Sequence, residues 1–126
     1  MGFAYRTDYA NRLNYSVATG YISGGDLEAH IRQTVQDKAF SYPQLIDARL
    51  ATFVFTTTDV CWLAFSLRRL SSTCLPGPIG IVVSTGANLG MVQMLKRLAQ
   101  DTCMIEPFLD ITEAEDWLQV QKGEVA

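Results

Sequence analysis

An acid and a base two residues apart, Asp47 and Arg49, close the apolar run Leu45-Ile46-Asp47-Ala48-Arg49. At that spacing both side chains project to one face of a strand. At the carboxyl end of a strand in an α/β sheet they would line the crevice where such folds take ligands. The same two groups would also serve as an ion pair or as partners of nearby loop amides. Acid–base or nucleophilic catalysis needs further groups. The one histidine, His30, is distant in sequence and reads as a boundary or surface residue beside the apolar stripe of the first helix.

A hydroxyl run comes next. Thr56, Thr57 and Thr58 precede Asp59 and an apolar helix. Thr56 with Asp59 three residues on fits a reciprocal cap, worth typically ~1 kcal/mol. The three hydroxyls are also candidate phosphoacceptors, because a helix N-terminus favours a phosphate. A second strand-to-helix junction, Ser84-Thr85-Gly86-Ala87-Asn88-Leu89-Gly90, offers Ser84 and Asn88 as polar groups where an anion could sit. It matches neither a dinucleotide fingerprint nor a P-loop, since Met91 stands where the phosphate-binding lysine belongs. A turn with a polar cap accounts for it.

Composition narrows the function classes. A net charge of −3 with ten scattered basic residues argues against a nucleic-acid surface. The cysteines Cys61, Cys74 and Cys103 form no C-x-x-C pair, and His30 has no companion at ligand spacing, so neither metal nor cofactor is expected. Reduced thiols in a cytoplasmic setting are the expectation. The first residues lack a signal-peptide pattern, and Arg6 occupies the place where a myristoylation motif has Ser or Thr. No apolar run approaches the roughly 20 residues of a membrane span, so stable insertion is not expected.

Hydrophobic periodicity predicts strands over 3–9 and 13–22, then a helix capped by Ser23 with Asp26 and striped by Leu27, Ile31 and Val35. A strand over 44–49 and a second extended run over 51–55 lead to a helix over 56–70. An apolar strand over 79–84, a helix over 86–100 and a strand over 102–110 follow. The last helix is expected to start on a capping box of Thr112 with Glu115, to anchor through Trp117 and Leu118, and to fray over 122–126. The order β-β-α-β-α-β-α-β-α makes an α/β fold: a mixed, largely parallel central sheet with about four helices. All 126 residues are expected to form one domain, its core about 3–119.

The second helix carries more apolar surface than a sheet requires. Val60, Leu63, Ala64, Leu67 and Leu70 make one face. Cys61, Trp62 and Phe65 fall on another, edged by Arg68 and Arg69. Burial under a neighbouring helix would explain this second patch. So would an interface formed by Cys61, Trp62, Phe65 and Arg69 with a second copy or another protein.

The element order, with Leu45-Ile46-Asp47-Ala48-Arg49, the strand from Ile79 to Ser84, and the ending Phe108-Leu109-Asp110 through Glu113-Ala114 to Trp117-Leu118, resembles the SpoIIAA-like family of the STAS superfamily. Its wider relatives include bacterial anti-sigma-factor antagonists, and some schemes group these small domains with CRAL-TRIO-type lipid carriers. The resemblance implies a non-enzymatic interaction or regulatory module, alternatively a carrier of a small apolar ligand or lipid. For a carrier, Phe53, Phe55, Met91 and Met94 are the apolar candidates. Phosphorylated antagonists of the family have a serine in a D-S-x-G turn after the third strand. Here that turn reads Thr56-Thr57-Thr58-Asp59-Val60, without the Asp-Ser pair or the glycine.

Overall fold

The computed structural model describes residues 2–125, with side chains to Gly123. The elements run β1 (Gly2–Asp8), β2 (Leu13–Ile22), α1 (Gly24–Gln36), β3 (Gln44–Phe53), α2 (Thr57–Ser71), β4 (Ile79–Val82), α3 (Gly86–Leu98), β5 (Ile105–Phe108) and α4 (Ile111–Val125). The sheet has the order β1-β2-β3-β4-β5. Only the opening hairpin is antiparallel, and β2 to β5 are parallel throughout. The expected mixed α/β sheet with four helices is therefore the fold.

Alternation along β4 divides the molecule into layers. Ile79, Ile81 and Val83 join the larger core with α1, α2 and α3, whereas Val82 faces the other way, toward Ala114 and Leu118 of α4. All four residues of β4 are buried, as a strand covered on both faces must be. Gly80 leaves room for the final helix: a methyl there would come within 2.9 Å of the Trp117 ring.

The strand expected over 79–84 ends at Val82 and the helix expected over 86–100 at Leu98, and other boundaries differ for a local reason. The segments over 44–49 and 51–55 are one strand, β3, with a bulge. Val17 pairs with Asp47 and Thr19 with Leu50, so β3 spends one more residue than β2 over that step. Arg49 and Leu50 both face outward in consequence, and Ala48 and Ala51 both face the core. The strand expected over 102–110 shrinks to Ile105–Phe108. The final cap is Asp110, whose carboxylate accepts the Thr112 N–H at 2.8 Å, so Thr112 lies inside the first turn instead of capping it. That helix is assigned to Val125, and Ala126 lies outside the described residues.

His30 is the clearest correction. It is only 5% exposed, not a surface residue. Phe3 stacks on its ring at 4.3 Å, and Tyr5 meets it edge-on at 5.2 Å. Its Nε2 lies 2.9 Å from the Ser16 hydroxyl and 2.6 Å from the Gln44 amide, both buried. The helical stripe Leu27, Ile31, Val35 showed one side of α1. The hairpin strand β1 folds over the adjacent side and covers His30.

Two fold predictions can be checked by denaturation. Burial lowers the His30 pKa to about 4 from the ordinary 6.5. The unfolded chain therefore takes up a proton that the folded chain refuses. The associated stability is full above pH 6.5 and falls as the pH drops toward about 4, by a few kcal/mol. Urea midpoints at pH 7.5 and pH 5 should show this slope in the wild type and a flatter one in His30→Gln; equal slopes would refute it. Glycine spacing supplies the second test. A Cβ on Gly77 would strike the carbonyl oxygens of Tyr42 and Ser41, while one on Gly90 meets nothing within 4 Å. Gly77→Ala should cost about 1–3 kcal/mol, and Gly90→Ala, mid-helix, should gain up to about 1 kcal/mol.

Candidate functional site

The outward face of α2 is assembled from local rules. Thr56 is the N-cap: its hydroxyl accepts the Asp59 N–H at 3.1 Å, and the Asp59 carboxylate accepts the Thr56 N–H at 2.9 Å. From that start, Val60, Leu63, Ala64 and Leu67 turn inward and are buried. Each large one contributes about 1.5–3 kcal/mol on leaving water. The same register sends Cys61, Trp62, Phe65, Arg68 and Arg69 outward. No neighbouring helix covers them: Trp62 is 53% exposed and Phe65 45%.

These side chains are held in place. The Trp62 and Phe65 rings lean on each other with centroids 5.5 Å apart. The Trp62 indole N–H donates to Glu28 Oε2 at 2.7 Å, and Glu28 also receives Arg32, one turn along α1, at 2.8 Å. The hydrogen bond from Arg32 holds the Glu28 carboxyl below its usual range against the opposing effect of burial, and the Trp62 N–H adds to the lowering. A cavity of about 110 Å³ opens between the helices, lined by Arg32, Trp62, Ser66, Arg69 and Leu70. Arg68 and Arg69 make no ion pair among the described residues. The arrangement is a half-exposed aromatic pair beside the Glu28–Arg32 ion pair, with Arg68 and Arg69 farther along the same helix.

The remaining candidates lie apart from this face. Thr57 and Thr58 are exposed in the first turn of α2, while the Thr56 hydroxyl is engaged in the cap. Asp47 and Arg49 face the opposite side of the sheet as a two-pronged ion pair, with Arg49 Nε and Nη2 donating at 2.9 and 2.8 Å. Hydrogen bonds from Arg49 lower the Asp47 pKa, and the pair borders a shallow cleft of about 240 Å³ with Val17 and Leu50.

Ser84 and Asn88 serve the backbone of β3. The Ser84 hydroxyl donates to the Arg49 carbonyl at 2.8 Å. The buried Asn88 amide accepts the Phe53 N–H at 3.1 Å and donates to the Ala51 carbonyl at 3.0 Å. β3 outruns β4 beyond Asp47, and this side chain satisfies backbone groups that lack a neighbouring strand. Asp47 and Arg49 thus come together, but Ser84 and Asn88 do not join them around a common polar pocket.

Sequence reasoning missed Glu28, Arg32 and Ser66 as companions of Trp62. Glu28 and Arg32 show the (i, i+4) spacing of a helix pair, but nothing in the chain indicates that they border α2. The exposed Val17, Tyr21 and Leu50 were also missed, because alternation assigns outward positions without showing which of them α4 fails to cover. Phe53, Phe55, Met91 and Met94 pack against the larger core. Burial pushes the Cys103 thiol up to about 12. Among the described residues no group of three His, Cys, Asp or Glu side chains could hold a metal ion, and no helix is long and apolar enough to cross a membrane.

No family model matches the chain, and no curated protein matches it by sequence. Solved structures do. An uncharacterised protein of the DUF3478 family from Shewanella loihica PV-4, described as having a SpoIIAA-like fold, superposes with a TM-score of 0.58 at 16% identity, covering 93% of each chain. The anti-sigma factor antagonist SpoIIAA in its unphosphorylated form superposes with a TM-score of 0.53 at 12% identity, covering 94% of this chain and 98% of that one. The five-stranded mixed sheet and its four helices are the SpoIIAA-like fold.

Proposed function

We propose that this chain is a non-enzymatic protein-interaction or regulatory module that binds its partner through the outward face of α2 and its border with α1. One observation carries the reading: Trp62 and Phe65 stand in mutual contact, half exposed, beside two guanidiniums without acidic partners among the described residues. Aromatic and arginine side chains grouped in this way are the usual energetic anchors of an interface. Indole and phenyl surface left in water is a standing cost that a partner would remove.

The distribution of reactive groups supports the same reading. Ser16 and His30 form a hydroxyl–imidazole pair, but both are buried. Asp47 is neutralised by Arg49, and the Thr56 hydroxyl is engaged in a cap. The structural neighbour named as an anti-sigma factor antagonist is, by that name, a protein that acts on another protein. A second copy of this chain and a different protein both fit the α2 face at this level of description.

Site-specific photo-crosslinking tests the proposal. Benzoylphenylalanine placed at Phe65 should give a covalent protein adduct in the producing cell. The same probe at Tyr21, on the opposite sheet face, should give none. An adduct from position 21 and none from position 65 would overturn the reading. Trp62→Ala and Phe65→Ala should each weaken the association by on the order of 2 kcal/mol, about 30-fold, with the unfolding temperature nearly unchanged.

A further inference from the structure

We infer that the cavity between α1 and α2 is a carboxylate-binding site, and that the partner on this face is a different protein presenting an acidic segment to it. The inference rests on the reading of the α2 face as an interaction surface and adds the chemistry of the occupant.

Helical spacing builds the site. Trp62, Ser66, Arg69 and Leu70 lie on one ridge of α2, Arg32 faces them from α1, and the space between holds about 110 Å³. That is well below the ~300 Å³ at which ligand pockets for whole small molecules begin. It suits a single charged head group.

Donors outnumber acceptors around this space. Both oxygens of Glu28 are engaged, Oε1 by Arg32 and Oε2 by the Trp62 indole. Arg32 is not exhausted by that pair: its Nε and Nη2 share the one oxygen, and its Nη1 has no partner among the described residues. Arg69 is exposed and makes no ion pair among them. Ser66 is only 7% exposed, yet its hydroxyl meets no partner at hydrogen-bond geometry among the described residues and lines the cavity. A side chain so buried ordinarily has its hydroxyl satisfied. The Glu28–Arg32 pair is neutral as a unit, so the uncompensated charge at the rim is that of Arg69, with Arg68 beside it.

A carboxylate fits this set. A guanidinium presents two parallel N–H groups to its two oxygens, and Ser66 supplies a further donor. Phosphate fits less well, because the backbone N–H groups it ordinarily uses at a helix start are spent on helix bonds this far along α2. The half-exposed Trp62 and Phe65 favour a protein segment over a free ion. Phe65 precedes Arg69 by about one turn, ~6 Å of helix, so an apolar neighbour of the entering acid would reach the rings.

A second copy has no such acid to offer from the same face. Asp26 and Asp59, the other acids within α1 and α2, are engaged in N-caps. The exposed Glu113, Glu115 and Asp116 lie on α4, across the sheet, and a contact from α4 to α2 would be heterologous and would not close as a two-fold.

Titration of the full chain with acetylated hexaglutamate at low salt, followed by heteronuclear NMR, tests the inference. The Trp62 indole N–H and the amides of Ser66 and Arg69 should shift and saturate with a Kd of about 1 mM or below, and added salt should reverse the shifts. Arg69→Glu should weaken binding by about tenfold or more. Arg6→Glu, an equal change of charge on the far side of the sheet, should leave it unchanged. Ser66→Ala should weaken it by about threefold or more without lowering the unfolding temperature. Hexalysine should give none of these shifts. Silence with hexaglutamate, an equal loss from Arg6→Glu, or larger shifts at Lys96 and Arg97 on α3 each overturns the inference. Tighter binding of inorganic phosphate overturns the carboxylate, and free glutamate binding as tightly as the peptide overturns the segment. Concentration-dependent shifts of the same signals in the protein alone would assign the acid to another copy and overturn the different partner. A photo-adduct from position 65 that survives Arg69→Glu sinks the acidic occupant alone. Absence of any adduct there sinks the interaction reading with it.

Discussion

The rest of the molecule depends on keeping both faces of β4 dry. Four residues, Ile79–Val82, form a strand too short to hold a sheet by hydrogen bonds alone, and their burial requires a helix layer on each side. α4 can close one side because Gly80 lets the Trp117 ring lie against the strand. On the other side α2 must spend its whole inward stripe, Val60, Leu63, Ala64 and Leu67, on the larger core. A helix committed so fully on one side has its back to solvent, and there Trp62 and Phe65 stand.

Polar residues that look reactive in the sequence are mostly occupied with structure. Asn88 substitutes for a missing strand beside Ala51 and Phe53. Asp47 and Arg49 satisfy each other. Ser16, His30 and Gln44 form a buried cluster that links β2, α1 and β3. Burying such groups without partners is costly, so their mutual satisfaction stabilises the core.

The sequence was informative where a pattern is set by one element. The caps Ser23–Asp26 and Thr56–Asp59, the apolar run of β4 and the surplus face of α2 were all legible from spacing. It was less informative where two elements meet. Nothing local shows that β1 closes over His30, or that Glu28 reaches Trp62 from another helix. The cap of the last helix was misplaced because Asp110 and Thr112 are both good capping residues two positions apart. Only the course of the chain leaving β5 decides between them. The α2 surface was visible as composition, but the Glu28–Arg32 pair that borders it from α1 needed coordinates.

The additional residue in β3 sets a phase for everything downstream. Before it, Ile46 and Ala48 point to the core; after it, Ala51 and Phe53 do, three positions on instead of two. The strand thus changes parity halfway, which is why an alternating pattern reads it as two pieces. Chain length between Ala48 and Ala51 is consequently counted to the residue. Removing one would rotate the remainder by half a turn, carrying Phe53 toward water and Thr52 inward, and would deprive the Asn88 amide of the backbone groups that it bridges.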